Sequence, residues 1–477
     1  MYCGGRSAGK SSPRMPAEWL MDKSLRRLLV MLLIACFTGV FASPHLSGAA
    51  AGLADDCGYH PATAGLLSRA APADWLSWVG QLSGAEPAII AGEPYTITTR
   101  YTPTLFSGAP HARAYDFVLE QARLWHYPPA SIEQHAWSNG VYSGYNLALT
   151  IPGQITPTEV VALTAHLDSL SPAATRQTLA PGAEDNASGS AALLQAARLL
   201  RHYQFARTVK IIWFTGEEQG LLGSAAFAAD HNLSGYRGVI NLDMFGYDAD
   251  DDRCFELHVG VLPASDKVGQ CLAQALAAYN LNISADYLTS EATSASDHAS
   301  FWSRGVGAVL LHENGFTAGS TCGGVRDRNP YYHTVNDTIA NSFPPYNNGS
   351  PNPVGGDIAR LALAGLAGLA GMQGVCFTAA PQLSLTVDAA GAHLSWMPLT
   401  GAVQYRLYRR VGDSVETLLY SGAATSYTDA GYVPYWSNWY WVEAVAADGF
   451  CLSELSQAVG VVPAWVTSRG YLPLLQR

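Results

Sequence analysis

Three apolar, strand-like runs in this chain stop at residues that do not belong in a core: 159–165 runs into His166-Leu167-Asp168, 209–214 into Thr215-Gly216-Glu217-Glu218, and 238–242 into Asp243. Helical patterns lie among them, over 115–125, 190–201 and 224–230, and a further strand is read at 145–151. Strands that alternate with helices need crossover connections, which return the chain parallel to the strand it left. The expected fold class is therefore α/β, a mostly parallel mixed sheet flanked by helices on both faces. Ligands in such folds bind beyond the carboxyl ends of the strands, where these acidic and histidine residues fall.

Composition narrows the function classes. With 477 residues, 48% apolar and only 14% charged, the chain reads as two or three globular domains rather than a disordered polymer. The net charge is −11 and Lys210 and Lys267 are the only lysines after residue 42, so nucleic acid is not expected as a partner. Arg26 and Arg27 precede an uncharged run over 28–42 that ends in Val40-Phe41-Ala42, which reads as an export signal. The run is shorter than the ~20 residues of a retained span, and Leu33-Ile34-Ala35-Cys36 offers lipidation at Cys36 as the alternative. The mature chain is expected to be secreted or cell-surface, with no integral membrane span.

The domains expected are a leader with its signal peptide over 1–42, a connecting segment over 43–85, the mixed-sheet domain over 86–379, a small all-β sandwich over 380–462 and a tail over 463–477. An almost uncharged stretch at 357–372 reads as a buried closing helix, too short for a membrane. Cys57, Cys254, Cys271, Cys322, Cys376 and Cys451 are compatible with disulfides or with buried thiols, and six cysteines allow 15 connectivities.

Each chemical candidate has a plain alternative when taken alone. His166 would serve as a structural histidine, with Asp168 free to orient its ring. Asp185, in Glu184-Asp185-Asn186-Ala187-Ser188-Gly189, would cap the following helix, yet its two oxygens could equally bridge two cations. Glu217 and Glu218 could be a solvated loop pair. Adjacent carboxylates at a strand end are costly unless positive charge lies between them, and one could ligate a metal while the other accepts a proton from metal-bound water. Asp243, between Leu242 and Met244, reads as a ligand, whereas His333 in its polar loop is unremarkable by itself. Together they supply two histidines and three carboxylates, plus one spare carboxylate. With Asp185 shared, His166 and Asp243 complete one three-ligand set and Glu218 and His333 another, each leaving room for water as a catalytic zinc requires. Mixed nitrogen and oxygen donors suit Zn²⁺, with Mn²⁺ or Co²⁺ compatible.

The ordered motifs Ala165-His166-Leu167-Asp168-Ser169, Gly182-Ala183-Glu184-Asp185-Asn186-Ala187-Ser188-Gly189, Gly216-Glu217-Glu218-Gln219-Gly220-Leu221-Leu222-Gly223-Ser224, Asn241-Leu242-Asp243-Met244, Ser296-Asp297-His298 and Tyr332-His333-Thr334-Val335-Asn336-Asp337-Thr338 resemble a known family. It is that of the co-catalytic zinc aminopeptidases of the bacterial leucyl aminopeptidase type, which also includes glutamate carboxypeptidases and glutaminyl cyclases. The resemblance spans 89–372. It implies two Zn²⁺ per chain held by His166, Asp185, Glu218, Asp243 and His333, with Asp185 as bridge, Glu217 as general base and Asp168 orienting His166. A cis peptide between Asp185 and Asn186 is implied too. The activity implied is an exported exopeptidase acting on peptides with a free N-terminus, hydrolysing the N-terminal bond through a metal-bridging hydroxide.

Ser296-Asp297-His298 is expected to support the pocket wall. The segment before it, 291–295, lacks a disulfide and a substrate-contacting Tyr found there in some relatives, and His258 and His312 read as ordinary core or loop histidines. Within the family, a carboxypeptidase would need a base such as Arg326 or Arg328, and a glutaminyl cyclase, with one zinc, would not need both His166 and Asp243. A catalytically silent surface-binding protein is opposed by the full set of ligand positions. The strands read after residue 381, among them Leu394-Ser395-Trp396 and Tyr440-Trp441-Val442, resemble a fibronectin type III domain.

Overall fold

The computed structural model describes residues 56–107, 113–316, 326–343 and 354–463. The leader, Cys36, Cys322 and the tail from 464 lie outside them. Strands β1 (Ile132–Ser138), β2 (Ser143–Ile151), β3 (Thr156–His166), β4 (Arg207–Phe214), β5 (Tyr236–Leu242), β6 (Cys254–His258), β7 (Ser284–Leu288) and β8 (Ala308–Glu313) form one eight-stranded sheet in the order β7-β6-β8-β5-β3-β4-β2-β1. Neighbours β8-β5, β5-β3 and β3-β4 are parallel. The junctions β4-β2, β2-β1 and β8-β6 are antiparallel. The four strands that run together therefore bring His166, Phe214, Leu242 and Glu313 to one rim.

These central strands are buried on both faces, which is why they read as continuous apolar runs. Alternation still sorts their side chains. Leu147, Leu149, Leu163, Ile211 and Trp213 enter a large core, while Ala148, Ala162, Ile212 and Phe214 enter a smaller one. Helices α1 (Pro61–Arg69), α2 (Pro72–Leu82), α3 (Ala114–Leu124), α4 (Ser188–Leu200), α6 (Pro263–Ala278) and α7 (Val354–Leu369) cover the first face, and α5 (Leu222–Asp230) covers the second. Helix α7 is the closing helix expected at 357–372. No described helix is long and apolar enough to cross a membrane.

The segment 43–85 is not a connector where it is described. Cys57 is disulfide-bonded to Cys271 of α6, and Trp75 of α2 is fully buried with its indole donating to the Ser188 carbonyl at 2.9 Å. Its weak periodicity hid this, because short helices that bury a few large side chains leave little pattern.

Beyond α7 the chain forms β9 (Leu383–Asp388), β10 (Gly391–Trp396), β11 (Ala402–Val411), β12 (Thr417–Gly422), β13 (Ser426–Asp429), β14 (Asn438–Ala446) and β15 (Val459–Val461). They make a three-stranded sheet, β9-β10-β13, and a four-stranded sheet, β12-β11-β14-β15, antiparallel throughout. Leu394 and Trp396 of the first meet Leu407, Tyr440 and Val442 of the second in a shared core. This small sandwich is not a free module: the described residues form one compact unit, Cys376 is bonded to Cys451, and Phe450 lies in the large α/β core.

Candidate metal centre

The rim of parallel strand ends collects the acidic and histidine residues. His166 ends β3 and Asp243 directly follows β5. Glu217 and Glu218 sit in the turn between β4 and α5, and Asp185 lies in the irregular turn before α4. His333 arrives on a loop whose backbone is left-handed at that residue, φ 56°. Asp185 does not cap α4: the cap position is Ala187, without a side-chain cap bond, and the Asp185-Asn186 peptide is cis. Instead Asn186 does the local holding, since its Oδ1 accepts from the Gly189 N–H at 2.8 Å and its amide donates to the Leu242 carbonyl at 2.9 Å. Gly189 is required there, because a Cβ would stand 2.6 Å from that same carbonyl oxygen.

The resulting geometry is a chain of pairs centred on Asp185. His166 Nε2 lies 3.3 Å from Asp185 Oδ1 and 3.2 Å from Asp243 Oδ1. His333 Nε2 lies 3.1 Å from Asp185 Oδ2 and 2.8 Å from Glu218 Oε2. Two three-residue donor sets result, His166 with Asp185 and Asp243, and Asp185 with Glu218 and His333, each with ligand atoms within 4.8 Å of one another. Glu217 belongs to neither and faces a cavity of about 310 Å³ lined also by His166, Asp185, Asp243 and His333. A larger groove of about 780 Å³, beside α3 and the sandwich, contains none of these residues.

The donor set fits a pair of cations. It gathers the carboxylates of Asp185, Glu218 and Asp243 around two imidazoles, with Glu217 beside them, and Glu218 Oε1 is buried without a hydrogen-bond partner. Charge balance among the residues alone needs protons. Burial and then Asp185 push Glu218 up to about 8, and burial raises Glu217 well above the carboxylate range. His333, although burial pulls it down, is raised to about 10 by Asp185 and Glu218. Divalent cations bound to these atoms would displace such protons, and the nitrogen and oxygen donors suit zinc.

Around Asp168, which the sequence points to, Asp337 and Arg100 fix this site without having been singled out from the sequence. Asp168 touches more than His166: its backbone carbonyl lies 3.1 Å from His166 Nδ1, and its carboxylate accepts from Thr102 Oγ1 at 2.8 Å and from the Glu218 N–H at 3.3 Å. Asp337 accepts from the backbone N–H groups of Glu184 and Asp185, both at 3.0 Å, so it holds the bridging turn. Arg100 is fully buried and donates to the carbonyls of Leu82, Leu167, Pro181 and Gly182, tying that turn to the end of β3. Asp337 sits within a recognised motif, but an isolated Arg100 carries no sequence signal. Ser296 supports the site as expected, donating to Asp243 Oδ2 at 2.6 Å. His258 is a buried histidine paired with Glu256 at 2.9 Å. His312, read as an ordinary histidine, lines the cavity together with Arg326 and Arg328.

Residues 146–348 match peptidase family M28. Over 122 residues the chain is 38% identical to a probable leucine aminopeptidase 1 of Trichophyton verrucosum, a match covering 24% of this chain and 31% of that relative. This chain thus spans about a third of that curated relative's length. The structure is also similar to the LapA aminopeptidase of Legionella pneumophila, with a TM-score of 0.49 and 21% identity over 65% of this chain and 74% of that one. A glutaminyl cyclase from an Acidobacteriales bacterium gives a TM-score of 0.46 and 18% identity over 63% and 94%.

Proposed function

Starting from a peptidase family M28 segment, we propose that this chain is an exported di-zinc aminopeptidase that removes residues from peptides with a free N-terminus. The observation that carries the reading is Asp185: its two oxygens each face a different histidine, and each histidine faces a second, different carboxylate. His166, Asp185 and Asp243 would hold one zinc, and Asp185, Glu218 and His333 the other. Bound zinc would supply a lowered pKa for water and polarisation of the scissile carbonyl.

The residues around it do the rest. Glu217 faces the cavity without belonging to a donor set, which leaves its carboxylate free to serve as the proton acceptor. It takes the proton from the attacking water and returns it to the leaving amine. Asp168 fixes the His166 ring and, through the Glu218 N–H, the turn that carries the paired glutamates. The excess of carboxylates attracts a substrate α-ammonium group, which favours chain ends. Export is supported by the leader pattern and by the disulfides Cys57-Cys271 and Cys376-Cys451, which suit an oxidising compartment. The two-sheet strand order supports reading 380–462 as fibronectin type III-like.

One observation favours a carboxypeptidase as the second reading: Arg326 and Arg328 line the cavity and could take a substrate carboxylate. A panel of aminoacyl, N-blocked and free-C-terminal dipeptide substrates, run with and without chelator, separates the two. Cleavage of aminoacyl amides that N-blocking abolishes is the expected result. Cleavage of N-blocked dipeptides only would establish the carboxypeptidase.

A further inference from the structure

A second group of acids lies just past the rim, in the chain leaving β5 and in the loop at 326–328. Asp248, Asp250 and Asp327 each offer an oxygen within 4.8 Å of the others, and none of them belongs to the zinc sets. Asp248 is only 4% exposed, and its Oδ1 is buried with no hydrogen-bond partner, while its Oδ2 accepts from the Arg253 N–H at 3.2 Å. Asp327 Oδ2 accepts from the N–H groups of Ala249 and Asp250, leaving its other oxygen uncommitted. Nearby, Asp252 Oδ2 is also buried and unpartnered.

Among the described residues, no arginine or lysine pairs with these four carboxylates. Arg253, the nearest base in sequence, sends its guanidinium to Asp357 and to the Asn282 carbonyl. Arg326 turns to the Phe316 carbonyl, and Arg328 lies over the Tyr332 ring, 5.5 Å from its centroid. A buried, unpaired carboxylate oxygen among like charges is costly unless a cation joins it.

We propose that Asp248, Asp250 and Asp327 form a separate binding site for one Ca²⁺ that pins the 326–328 loop to the chain leaving β5. All the donors are oxygens, which selects a hard cation over zinc. Ca²⁺ accepts 6–8 oxygens in irregular geometry, and carboxylates from two distant segments supply a share of these without an octahedral cage. The consequence reaches the substrate pocket, because Arg326 and Arg328 flank Asp327 and line the cavity.

The test uses the full chain with its zinc in place, freed of calcium by gel filtration and then equilibrated with Ca²⁺ alone. Equilibrium dialysis should find one Ca²⁺ per chain, and the thermal midpoint should rise with its concentration. Asp248→Asn should weaken that binding by about tenfold or more while the zinc content stays the same. If Asp248→Asn does not fold, the exposed Asp250→Asn decides, with the same expected loss. No Ca²⁺ bound at about 10 mM, above the ~10⁻³ M of weak extracellular sites, overturns the proposal. So does binding that the substitutions leave intact.

Discussion

Asp185, Glu218 and Asp243 lie buried at the strand ends among two histidines and further acids, whereas Glu443, equally buried in the sandwich, lies among partners that complete it. Glu443 Oε1 accepts from Tyr408 Oη at 2.7 Å and stands 3.1 Å from His126 Nδ1 and 3.4 Å from Arg406 Nη1. Burial raises Glu443, yet His126, Tyr408 and Arg406 outweigh it and hold the carboxyl below its ordinary value. At the rim the two imidazoles outweigh burial only at Asp185, which is held low, while Glu217 and Glu218 are raised. A buried acid that its neighbours neutralise is part of the packing. One that they leave over-negative is waiting for a charge from outside the chain, which is the physical difference between a scaffold and a site.

Four measurements would break or sharpen that contrast. The largest effect is expected on metal removal: dialysis against a chelator should abolish turnover and lower the thermal midpoint, and zinc should restore both. Restoration of activity at one metal per chain in elemental analysis would end the two-site reading. Next, Glu217→Gln should lower kcat by about 10² to 10⁴ with metal content unchanged, while Glu218→Gln should lose metal from its half of the site. Near-normal turnover in fully loaded Glu217→Gln removes it as the base.

The third measurement concerns the join between the two regions. Phe450 is 5% exposed in the α/β core, and the Arg201 guanidinium lies over its ring and donates to its carbonyl. Phe450→Ala should cost about 3–5 kcal/mol in denaturant unfolding. A chain ended after Ala379 should accordingly lose stability. A soluble truncated protein with a wild-type midpoint would show that the join carries no such energy.

The smallest effect is a pH dependence. A carboxyl held low in the folded state contributes stability that is present above the unfolded value, about 4.3, and is lost as pH falls through the folded one. Wild type should therefore lose stability below about pH 4 through Glu443. In Glu443→Gln this acid-dependent part should be missing, at a cost of about 1–3 kcal/mol near neutrality. Acid titrations of the two proteins that coincide would show that Glu443 makes no such contribution.

What the sequence determined by itself is local and periodic. Continuous apolar runs predict buried parallel strands, and the residues that end them, His166, Glu217, Glu218 and Asp243, stand out because polar groups at a strand end are rarely idle. The sandwich strands are legible for the same reason, as short alternating runs between turns. The tertiary structure alone decided which residues meet across long separations. Arg100 reaches the carbonyls of Pro181 and Gly182, Asp337 binds the N–H groups of Glu184 and Asp185, and Phe450 enters the core of a domain that its sequence texture assigns elsewhere. None of these has a period or a neighbour that announces it. A hydrogen bond to a distant backbone group depends on where the chain returns, and that is fixed only when the sheet order and the helix packing are in place.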